Sequence, residues 1–127
     1  MASGNSDLVQ IYLAQGRISE AAVLAAQAPD PLWNAYARAL VAARRGWRQR
    51  PDSALAAFVA EYQAIAPYQI AAIYAIGGQP DSAFRWLDRA YTSRDPGLAE
   101  VKVDALLASL RPDPRYRVLL AKMRLPL

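Results

Sequence analysis

Apolar residues recur at intervals of three and four along most of this chain, the spacing that lines one face of an α-helix. Strict alternation, which a half-buried strand requires, occurs nowhere. Alanine dominates and β-branched residues never cluster, so helix is favoured nearly throughout and no sheet is expected. The spacing predicts helices over residues 7 to 15, 18 to 28, 31 to 45, 52 to 65, 67 to 77 and 81 to 92. A short turn or two falls between 97 and 109, and a last helix spans 113 to 123. Pro29, Pro31, Pro67, Pro96, Pro112 and Pro114 punctuate the joins. Proline needs no backbone donor in a first helical turn, and Asp or Ser beside it can accept from the free amides there, so the Pro-Asp-Ser segments are natural helix starts.

Two segments carry the same four residues at the same structural place: Pro51-Asp52-Ser53-Ala54 and, 29 residues later, Pro80-Asp81-Ser82-Ala83. Each is followed four residues after its alanine by a large apolar residue, Phe58 or Leu87. A fainter copy surrounds Ile18-Ser19-Glu20-Ala21, where the chain again turns from a glycine, Gly16, into an alanine-rich helix. Periods near 30 with two helices each indicate stacked helical hairpins.

In the best copy Tyr74, Gly78, Ala83, Leu87 and Ala90 stand at successive offsets of 4, 5, 4 and 3, with Ala71 three before the tyrosine. This resembles the tetratricopeptide repeat, in which small residues mark close helix crossings and the glycine allows the turn. Tyr12, Gly16, Ala21, Ala25 and Ala28 repeat the offsets. A middle copy begins with Trp33, Tyr36, Ala37 and Leu40 and is interrupted by Gly46-Trp47-Arg48-Gln49-Arg50. The C-terminal third, with Asp95-Pro96-Gly97-Leu98, Lys102-Val103-Asp104 and Asp113-Pro114-Arg115-Tyr116, resembles the tail that closes tetratricopeptide arrays in many large bacterial regulators and kinases. The resemblance implies an all-α fold: a right-handed stack of about three helical hairpins with a C-terminal capping helix built on Tyr116, Leu119, Leu120 and Met123. Residues 1 to 6 read as a flexible tail and 7 to 127 as one repeat domain.

Composition narrows the function further. No cysteine and no histidine occur in the 127 residues, which removes the thiolate nucleophile, the thiolate metal site and the side chain best suited to proton transfer near neutral pH. The acids are scattered, Gly77-Gly78 lacks the lysine of a phosphate loop, and no enzyme, metal or cofactor is expected. No apolar run reaches membrane-spanning length and the start lacks a secretory pattern, so a cytoplasmic protein with no membrane partner is expected. Fifteen basic against eleven acidic residues leave a net charge of +4, a mild excess read as solvation.

The expected function is protein or peptide binding. In tetratricopeptide domains ligands lie in the concave groove lined by the first helix of each hairpin. Transferring the repeat offsets puts Gln10, Asn34, Arg38, Tyr68 and Ala72 on that face, together with Leu13, Val41 and Ala75. Asn34 and Arg38 are one helical turn apart and suited to holding a peptide carboxylate or backbone. The rival site is basic: Arg44, Arg45, Trp47, Arg48 and Arg50 combine charge with an aromatic ring, the chemistry that holds phosphate and stacks a base. Nucleic acid or another acidic partner held by this loop, residues 44 to 50, is the less favoured reading, and the bland one is a solvated helix end. Self-association as a homodimer is the third possibility, since an array without an N-terminal cap leaves a hairpin face exposed.

Overall fold

The computed structural model describes residues 2–27, 29–45 and 53–124. Among them are seven α-helices and no strand: α1 (Ala2–Ala14), α2 (Ile18–Gln27), α3 (Pro31–Arg45), α4 (Ser53–Tyr62), α5 (Pro67–Ile76), α6 (Pro80–Thr92) and α7 (Pro114–Lys122). Two 3-10 helices, η1 (Pro96–Glu100) and η2 (Ala105–Leu110), lie between α6 and α7. Five of these elements open on a proline. α1 starts five residues before its expected beginning, so residues 2–6, expected as a tail, are helical. Nothing in Ala2-Ser3-Gly4-Asn5-Ser6 forbids helix, since proline is absent.

Each helix packs on the next, and α1 also packs on α3 and α3 on α5. The ends of α1 and α5 are built alike. Gly16 and Gly78 take φ of 78° and 77°, a left-handed conformation that costs glycine little. Arg17 N–H then donates to Tyr12 O at 2.8 Å, and Gln79 N–H donates to Tyr74 O at 2.9 Å. This is the bond that closes a helix ending on a glycine. The alanines at equivalent offsets, Ala21 and Ala83, are both fully buried. Their small size lets the partner helix approach. Between these two pairs, Trp33, Tyr36, Phe58 and Tyr62 form a ladder of tilted rings with centroids 5.8, 5.9 and 4.9 Å apart, joining α3 to α4.

The C-terminal segment is governed by three aspartates at intervals of nine residues. Asp95, Asp104 and Asp113 accept from the amides of Gly97, Leu106 and Arg115 and start η1, η2 and α7 respectively. α7 lies against α6. Arg115 bonds Asp81 at 2.9 Å and stacks over Phe84, while Lys122 bonds Asp88 at 3.1 Å. These pairs are exposed and set orientation more than stability. Burial of Tyr116, Leu119 and Leu120 supplies the adhesion. η2 has a different seat, packing on α5 and reaching α1.

Candidate functional site

The first helices α1, α3 and α5 carry the residues expected to form a groove, and the structure divides them sharply. On α3, Arg38 is exposed. Asn34, one turn earlier, is half-buried, and its side-chain amide donates to Ala25 O at 3.1 Å. That bond satisfies a carbonyl at the end of α2, so Asn34 serves the join between α2 and α3. Gln10 on α1 is also half-buried.

Tyr68 and Ala72, expected on an open face, are buried, as are Leu13, Val41 and Ala75. On α5 the cause is the C-terminal segment. η1 and η2 fold back over α5, and Asp95 and Asp104 each use one carboxylate oxygen to start their own 3-10 helix and the other to hold Tyr68. Asp95 Oδ2 accepts from Tyr68 N–H at 3.0 Å, and Asp104 Oδ2 accepts from Tyr68 Oη at 2.8 Å. Ser109 adds a long bond from its hydroxyl to Ala75 O at 3.5 Å. Gly97 comes so close that an added Cβ would meet the Tyr68 side chain at 3.2 Å. The face of α5 is therefore occupied by the chain itself.

Burial and the Asp104 charge both disfavour a second negative charge nearby. Burial first, then that carboxylate, push the Tyr68 phenol far above its ordinary value of 10.0, and Tyr36 is pushed up for the same two reasons in the same order. Raised folded-state values mean that the stability these tyrosines contribute is fully present below about pH 10, where the unfolded chain's phenols begin to ionise, and is lost as pH rises further. An alkaline titration followed by ultraviolet absorbance and circular dichroism should show these two rings ionising only together with loss of helix. Their ionisation while helicity stays constant would contradict the buried network.

No protein family, curated protein or solved structure that was compared matches this chain. The site therefore rests on its own geometry. Of the alternative basic patch, Arg44 is exposed near the end of α3 and Arg45 is that helix's last residue. Trp47, Arg48 and Arg50 lie outside the described residues. No described helix is long and apolar enough to cross a membrane. On α1 and α2, Leu8, Ile11 and Val23 are exposed at 40, 48 and 59%. Sequence reasoning missed Asp95 and Asp104 as the residues that fasten the tail over α5. Their nine-residue spacing with Asp113 was the available signal.

Proposed function

We propose that this chain is a non-enzymatic interaction module of tetratricopeptide type, a right-handed stack of three helical hairpins closed by α7, that binds a protein or peptide. The observation that carries this reading is the repeated hairpin. Tyr12 to Gly16 and Tyr74 to Gly78 end their helices through the same bond, and Ala21 and Ala83 are buried at equivalent offsets. Units of this kind present extended surfaces on which partners lie, and their usual work is recognition. With Tyr68 and Ala72 covered, the partner face is the part of the first-helix surface on α1 and α3, centred on Arg38 with Gln10 and Asn34 as flanks.

The test uses the whole chain as bait against a lysate of its host, beside an Arg38→Glu variant. Charge reversal at an exposed contact should reduce a retained protein partner at least about tenfold, the equivalent of ~1.4 kcal/mol, while the melting curve stays the same. A partner indifferent to Arg38→Glu would show that another face binds. Recovery of nucleic acid with steep salt dependence would favour the Arg44 to Arg50 segment instead. Self-association is the second reading, favoured by the exposed Leu8, Ile11 and Val23, and light scattering distinguishes it.

A further inference from the structure

The positive charge of this chain is concentrated at one end. Up to residue 100, nine basic residues balance nine acidic ones, whereas the remainder holds six basic and two acidic residues, which is the entire net charge of +4. Both of those acids are engaged. Asp104 gives its two oxygens to Tyr68 Oη and Leu106 N–H, and Asp113 holds the Arg115 guanidinium with both of its own. Arg115 and Lys122 are further matched by Asp81 and Asp88 of α6. Arg111 and Arg117 form no ion pair among the described residues.

These two arginines and Lys102 line one cleft of about 340 Å³ between the turn after η1, the end of η2 and α7. Tyr116 and Leu120, both nearly fully buried, form its base. Arg111 is held in place there. Its Nη2 donates to Lys102 O and to Asp104 O, each at 3.1 Å, and no described residue accepts from its Nε or Nη1. Two backbone carbonyls orient a guanidinium without neutralising it, so the charge is fixed in position, and no carboxylate among the described residues pairs with it. Among the described residues no carboxylate lines the cleft, which disfavours a cationic ligand. Tyr116 exposes too little ring for a base to stack on, which disfavours readout of a nucleobase.

The geometry points to a binding site for a diphosphate-type anion in this cleft, with Arg111 as the pre-oriented fork and Arg117 as the second cation. Guanidinium groups match the oxygen spacing of phosphate, and two of them suit an anion of at least two charges. The cleft is also roomier than a single phosphate requires. The same chemistry is offered by free pyrophosphate and by the diphosphate of a nucleotide. The site is distinct from the Arg38 face, so it stands or falls independently of the proposed partner.

Calorimetric titration of the full chain with inorganic pyrophosphate and with ADP, in phosphate-free buffer of low salt, tests the assignment. Saturable binding of one anion per chain is expected. Arg117→Gln, which breaks no described bond, should weaken it about tenfold without moving the melting temperature. Arg111→Gln should weaken it at least as much, though it also frees two carbonyls. Arg85→Gln removes the same charge from the exposed face of α6 and should leave affinity within about twofold. Equal affinity for the two probes identifies the diphosphate alone as the ligand, and tighter ADP binding adds a nucleoside contribution. Absence of saturation at millimolar probe, or equal weakening by Arg85→Gln and Arg117→Gln, would overturn the site.

Discussion

Leu107→Ala is expected to be the most damaging single change described here. Leu107 is fully buried, although it belongs to η2, a six-residue 3-10 helix with little stability of its own. Truncating such a side chain loses its transfer free energy and leaves a cavity, for about 2–5 kcal/mol in total. A domain of this size has roughly 5–15 kcal/mol to lose, so the melting temperature should fall by the order of 10 °C. Chemical denaturation followed by circular dichroism measures it. If the segment merely rested on the surface, the change would stay within about 0.5 kcal/mol. That outcome would return Tyr68 and Ala72 to the open face and restore the wider groove that the repeat offsets imply.

Ala83→Leu should also destabilise strongly, by a different mechanism. Ala83 is fully buried on α6, which packs closely on α5, whose own Ala71, Ala72 and Ala75 are buried. A leucine there has no free volume to enter and must push helices apart, at a cost of typically ~1–3 kcal/mol. Ala21→Leu occupies the equivalent position between α1 and α2 and should behave alike. Thermal melts of both variants test the equivalence of the hairpins. A silent Ala21→Leu beside a damaging Ala83→Leu would mean that the first pair of helices is not a copy of the third.

Local chemistry made most of the helices legible. Pro31, Pro67, Pro80 and Pro114 each open a helix within a residue of the expected place, because a proline start is decided by its own missing amide. Gly16 and Gly78 end helices for an equally local reason. The candidate site was legible only in part. Arg38 is exposed as its offset implies, yet Asn34 is drawn into the end of α2 and Tyr68 lies beneath η1 and η2. Helical period tells which face of α5 a residue occupies. It does not tell what folds onto that face from 30 residues away, and there the partners are Asp95 and Asp104. The basic cleft was invisible for a related reason: Lys102, Arg111 and Arg117 are separated along the chain and meet only because η2 docks.

The contact of η2 with α1 also bears on how the molecule folds. In an open repeat array every interaction is local, and the protein can zip up from any point at the rate of its neighbours. Here residues 105 to 110 meet the first helix across about 90 residues of sequence, so a large loop must close before the last apolar surface is covered. Helices α1 to α6 meet their neighbours locally, but the face of α5 is covered only when η2 docks. The docking of the C-terminal segment thus ties the first helix to the end of the described chain, a long-range contact that a simple array lacks.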